Sequence, residues 1–76
     1  MITKAQALTL RHGQILHHVS LKNADKTPMR VRVTGKVKTW KTRPDHFRIP
    51  VAHGLYTFGY VEKSVDRDNS GEWEVA

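Results

Sequence analysis

Met29-Arg-Val-Arg-Val-Thr-Gly-Lys-Val-Lys-Thr-Trp40 decides how the rest of the chain is read. Apolar and cationic residues alternate along it, and successive side chains of a strand point to opposite faces. Met29, Val31, Val33 and Val37 fall on one face, while Arg30, Arg32, Lys36, Lys38 and Trp40 fall on the other. The stretch predicts one long ribbon with an apolar underside and a basic upper face ending in an aromatic ring. Gly35 interrupts it and predicts a bend or bulge, as where a strand curls around a small barrel.

Working outward, Thr3-Lys-Ala-Gln6 fits a capping box, in which the Thr3 hydroxyl and the Gln6 side chain each satisfy a first-turn amide. A helix follows, ending between Arg11 and Gly13, where glycine is a good stop. So short a helix is marginal alone, so Leu8 and Leu10 are expected to dock it. Residues 14–22 alternate again, with Ile15, His17, Val19 and Leu21 on one face and Leu16, His18, Ser20 and Lys22 on the other. Residues 23–28 are a polar connection whose Pro28 stands at the mouth of the next strand. Beyond Trp40, residues 41–45 read as a turn. Phe47, Ile49 and Val51 then read as a strand that is an edge or turns its Pro50 outward, since proline cannot donate to a ladder. His53-Gly54 turns the chain into an aromatic strand over 55–61, in which Gly59 suggests strong curvature. Residues 66–71 form a turn by composition, and Glu72-Trp-Glu-Val75 is a short last strand.

One short N-terminal helix followed by about five short antiparallel strands defines an α+β, mostly β class: a small curved sheet or an SH3-like or OB-like barrel. Seventy-six residues form a single domain, 1–76. A chain of this size buries only about 60% of the surface that its unfolded form exposes. It contains no cysteine, which excludes disulfides and thiolate metal sites and fits a reducing cytoplasm. No apolar run is long enough for a transmembrane helix, and the N-terminus lacks the pattern of a secretory signal. Beginning at Met1, the chain reads as a complete small open reading frame with a cytoplasmic product.

The net charge of +6 is unevenly distributed. Residues 1–61 carry eleven Lys/Arg against Asp25 and Asp45, and residues 62–76 carry two against five acids. No acid occurs between residues 26 and 44. A solvated face usually mixes signs, so this run points to a polyanion or an acidic protein surface. Arg30, Arg32, Lys36 and Lys38 recur at multiples of about 6.6 Å along a strand. Trp40 offers a ring on which a base can stack, and Lys41, Arg43 and Arg48 extend the patch. The competing reading is a solvated strand whose cations blunt its edge against aggregation, with Trp40 folded back on the core.

Other constellations carry less. Tyr56, Phe58 and Tyr60 share one strand face and read first as core, second as a stacking platform. His12, His17, His18, His46 and His53 match no metal-ligand spacing, and His17 and His18 point to opposite faces of their strand. Asp66-x-Asp68-x-Ser70-Gly71 resembles the first half of a calcium loop, but the glutamate required at its end would fall beyond Ala76. Asp45-His46 is an isolated acid–base neighbour pair. No nucleophile elbow, glycine-rich phosphate loop or apolar carboxylate pair occurs. The chain is therefore expected to be no enzyme and to need no metal or cofactor.

Thr39-Trp-Lys-Thr-Arg-Pro-Asp-His-Phe-Arg-Ile-Pro-Val-Ala-His-Gly-Leu-Tyr56, with Val31-Arg-Val-Thr-Gly35 before it, resembles small uncharacterised proteins encoded by bacteriophages and similar mobile or environmental DNA. The resemblance implies a small, standalone, intracellular protein. It implies no activity, and no functional residue is carried over from it.

The function expected from these residues is largely sequence-nonspecific binding of DNA or RNA through Arg30, Arg32, Lys36, Lys38 and Trp40, supported by Lys41, Arg43 and Arg48. The alternative is a protein-interaction or structural module that docks on a phage or host protein, or forms a homodimer through a strand edge.

Overall fold

The capping box forms as its residues require. In the computed structural model, which describes residues 1–53 and 57–76 and only the backbone of residues 57 and 58, α1 spans Lys4–Thr9. The Gln6 amide donates to the Thr3 hydroxyl, and the Thr3 amide donates to the Gln6 side chain. The helix is shorter than expected because Leu10 is already extended. It docks on Ala7 and the preceding Ile2, with Leu10 half-buried, whereas Leu8 is 59% exposed. A six-residue helix buries a single narrow stripe, and the small Ala7 allows close approach to the sheet.

Six strands follow: β1 Ile15–Lys22, β2 Pro28–Val33, β3 Lys38–Trp40, β4 Arg43–His53, β5 Thr57–Lys63 and β6 Trp73–Val75. A 3-10 turn, Ser70–Glu72, precedes the last. All pairings are antiparallel. β4 is the centre of the sheet, with β5 along one edge and β2 and β3 end to end along the other. β1 pairs with β2, and β6 pairs with β1. The sheet curls into an α+β, mostly β half-barrel. After β5 the Asn69 amide donates to the Glu62 carbonyl, and the chain then crosses the open side to reach β1 as β6. The Ile2 amide donates to the Ser70 carbonyl and ties the N-terminus to this crossing. Phe47, Ile49 and Val51 of β4 face the concave side with Leu16, Val33, Val61 and Trp73, and together they form the core.

The long ribbon expected over residues 29–42 is two strands. From Val33 to Lys38 the ribbon takes five steps while β4, from Val51 to Arg48, takes three. Two extra residues therefore bulge within 35–37. Pro50 supplies the reason. Its carbonyl accepts from the Thr34 amide at 2.9 Å, so its nitrogen faces the same neighbour. With no N–H to offer there, the ladder opens opposite it. Gly35 lies at the opening, where an added Cβ would stand 3.4 Å from the Pro50 ring. Pro50 is thus accommodated in a central strand rather than at an edge. The expected turn over residues 41–45 is also shorter: Lys41 and Thr42 alone close a two-residue hairpin, and Arg43, Pro44 and Asp45 begin β4.

β1 turns Leu16 and His18 inward and leaves Ile15, Val19 and Leu21 exposed, so its more apolar face is the outer one. The pairing with β2 sets this facing at the start of the strand, where Leu16 lies opposite the buried Val31 and Ile15 opposite the exposed Arg32, and a slip follows. β1 takes five steps from His17 to Lys22 while β2 takes two from Arg30 to Pro28. The His18 ring holds the resulting bulge. Its Nδ1 accepts from the Ser20 amide at 3.1 Å and the Leu21 amide at 2.8 Å, and the ring meets Trp73 edge-on at 4.9 Å. Beyond it, residues 19–27 are all exposed, and the molecule is 42 Å long against 21 Å in its other dimensions. Among the described residues no helix is long and apolar enough to cross a membrane.

Candidate nucleic-acid interface

Residues paired across neighbouring strands share a face of the sheet. Arg32 pairs with Ala52 and Lys38 with Arg48, so the β4 alternation places Arg32, Lys38 and Arg48 together on the convex face. Arg30, two residues from Arg32, joins them. The basic face anticipated from a single ribbon is therefore assembled from β2, β3 and β4. Lys36 lies in the bulge, Lys41 in the β3–β4 hairpin and Arg43 at the start of β4, and all three are exposed.

Trp40 is half-buried beneath cations. Lys38 Nζ stands 5.3 Å and Arg48 Cζ 5.5 Å from its ring centroid, and His46 meets it edge-on at 6.4 Å. Arg48 also lies 5.1 Å from the Tyr60 ring. Each such contact is worth about 0.5–1 kcal/mol at an exposed site. Arg48 is further held by Glu62, whose Oε1 accepts from it at 3.3 Å and from the Ser64 hydroxyl at 2.9 Å. Glu62 is only 4% exposed. A carboxylate so deep needs a partner, and Arg48 is that partner. Arg48, expected to support the patch, is thus a positioned group paired with Glu62. Its Nε is buried with no hydrogen-bond partner among the described residues.

Arg30 lies near Asp25. The Thr27 hydroxyl, then the Thr27 amide, hold the Asp25 carboxyl below its usual range, and Arg30 adds a smaller favourable field. Arg32, Lys36, Lys38, Lys41 and Arg43 take part in no ion pair among the described residues, and the undescribed residues include no acid.

Tyr60 and Glu62 were missed as parts of this face. Tyr60, expected first as core and second as part of a stacking platform, is 50% exposed on the convex side. Tyr56 and the Phe58 side chain lie outside the described residues. The available signal was the period-two spacing of Tyr60 and Glu62, opposite Pro50 and Arg48 once the β4–β5 register is known.

The histidines are dispersed. His17 Nε2 lies 3.3 Å from Glu74, His18 faces inward, His46 sits beside Trp40, and His12 and His53 are exposed. Among the described residues no three metal-binding side chains cluster. In the half calcium loop, Asp68 Oδ1 accepts from the Ser70 amide at 3.2 Å and hydroxyl at 2.8 Å, so it braces the 3-10 turn. Asp45 and His46 are successive strand residues and point to opposite faces. A cleft of about 380 Å³ beside the N-terminus mixes Lys4 and Lys63 with Asp45 and Asp68. It lacks the single-sign character of the convex face. Comparison with protein-family models, curated proteins and solved structures found no match to this chain.

Proposed function

We propose that the protein is a non-enzymatic nucleic-acid-binding module of the cytoplasm, which holds a phosphate backbone against the convex face of its half-barrel with little base-specific readout. One observation carries the reading. Arg32, Lys36, Lys38, Lys41 and Arg43 are exposed along one ribbon and its hairpin, without ion pairs among the described residues. Phosphate contact by such cations releases condensed counterions. On duplex DNA the log–log salt slope is about −0.9 per contact, so five engaged cations give a slope of about −4.5.

The test is an anisotropy titration of labelled oligonucleotides at low and near-physiological salt. The expected result is micromolar or tighter binding that weakens steeply with salt and is lost in the Arg32→Glu/Lys38→Glu variant. Absence of binding at low salt, or binding untouched by the double charge reversal, overturns the proposal.

A second reading, docking on a protein partner, is favoured by Val19 and Leu21, which lie exposed on the β1–β2 hairpin. Such docking would respond weakly to salt and would be lost on replacing Val19 and Leu21 by serine.

A further inference from the structure

We infer that the convex face seats an unpaired base against Tyr60, which makes single-stranded nucleic acid its ligand in preference to duplex. The inference rests on the nucleic-acid reading and deepens it.

The Tyr60 ring is half exposed, yet it is positioned. Arg48 lies 5.1 Å from its centroid, and the same guanidinium is held by Glu62 and by the Trp40 ring. Trp40, Arg48 and Tyr60 thus form a supported row in which Tyr60 is the exposed end. Beside Tyr60 lies a depression of about 150 Å³ lined by Thr34, Pro50, Val51, Gly59 and Tyr60. A cavity of about that volume holds a ring the size of benzene. Its walls are chiefly apolar and its aromatic side is a single ring, which is the chemistry that takes a flat heterocycle.

The position of the cations decides what carries that heterocycle. Along β4 the Pro50–Tyr60 rung lies between the Arg48–Lys38 rung and the Ala52–Arg32 rung. The β4 partners of Lys38 and Arg32 therefore stand on either side of Pro50, each about 6.6 Å away along the strand. A nucleotide whose base rests on Tyr60 presents its flanking phosphates toward these two cations. Bases in a duplex are stacked on their neighbours and cannot enter, whereas those of a single strand can splay onto an aromatic ring.

The test compares a labelled thymidine oligonucleotide of about 12 nucleotides with an abasic oligonucleotide of equal length, which keeps the phosphates and lacks the bases. The parent protein, Tyr60→Ala and Tyr60→Phe are titrated at one salt concentration. Tyr60 is half exposed, so both variants should fold, and circular dichroism checks this. The parent should bind the abasic strand roughly 5- to 150-fold more weakly, the range expected for one stacked base. Tyr60→Ala should abolish that difference and Tyr60→Phe should keep it. Equal binding of both strands by the parent, with a steep salt dependence, overturns the base seat and leaves the phosphate reading standing. Discrimination that survives Tyr60→Ala overturns Tyr60 as the seat. Binding of neither strand overturns both proposals.

Discussion

Replacing Glu62 by alanine removes the acceptor that Arg48 reaches at 3.3 Å and Ser64 at 2.9 Å. Breaking a fully buried ion pair costs about 3–5 kcal/mol, because an uncompensated charge remains inside. Two features place Glu62→Ala below that range. The Arg48 side chain is 27% exposed, so water can solvate the guanidinium once its partner has gone. The contact is also single, and at 3.3 Å it exceeds the roughly 2.7–2.9 Å of a strong charge-assisted bond. Loss of the Ser64 bond adds about 1 kcal/mol. The expected total is about 2–3 kcal/mol, which lowers the Tm of a domain this size by about 10–20 °C. Arg48→Met should cost more at neutral pH, because it strands the deeper of the two charges. Urea unfolding of the parent, both single variants and the Arg48→Met/Glu62→Ala pair gives the coupling energy directly. A Glu62→Ala variant within about 0.5 kcal/mol of the parent, or a coupling near zero, would refute this account of the convex face.

Three other predictions concern the scaffold. Phe47→Ala should cost about 3–5 kcal/mol in urea unfolding, whereas the exposed Leu8→Ala should stay within about 0.5 kcal/mol; equal effects would overturn the assignment of which residues dock. Lys26 has a φ of 69°, a left-handed conformation that glycine adopts without strain. Lys26→Gly should therefore stabilise the protein by about 0.5–1 kcal/mol, measured the same way, and a loss of stability would contradict it. Asp25 is held below the usual carboxylate range by the Thr27 hydroxyl and amide. A depressed carboxylate contributes fully above its unfolded pKa, and that contribution is lost as pH falls through the lowered value. The Thr27 amide resonance should be steady at neutral pH and shift only at the acid end, with no such transition in Asp25→Asn; a transition near neutrality would be inconsistent.

What could be read from the sequence was local. Thr3 and Gln6 announce the helix start because both halves of the cap lie within one turn. Phe47, Ile49 and Val51 announce a core-facing strand because alternation is a property of the strand itself. The basic face was legible for the same reason, with Arg32 and Lys38 on one side as their spacing requires. The break at 35–37 was only half legible. Gly35 marked it, but its cause is a proline on another strand. The outward face of β1 was not legible, since Ile15, Val19 and Leu21 look like the buried set until the pairing of Leu16 with Val31 is known. The Arg48–Glu62 pair depends on a register between residues 14 apart in sequence. Tyr60 looked like core because aromatic residues in a small domain usually are, and only the β4–β5 pairing turns it outward.

The interruption between β2 and β3 has an arithmetic that reaches beyond the strands it separates. An even number of inserted residues returns a strand to the face it left, and an odd number turns it over. Here the number is even, so Lys38 resumes the side that Arg30 and Arg32 began. The slip in β1 is odd, and beyond it the hairpin leaves the alternation of the barrel. One device thus serves two ends: in even measure it carries a surface across a gap, and in odd measure it frees an arm. Segment 34–37 can therefore change length in pairs without changing what the molecule shows to its surroundings. Deleting one residue there would turn Lys38 toward the core and Thr39 outward, taking Lys38 out of the basic face without a single substitution.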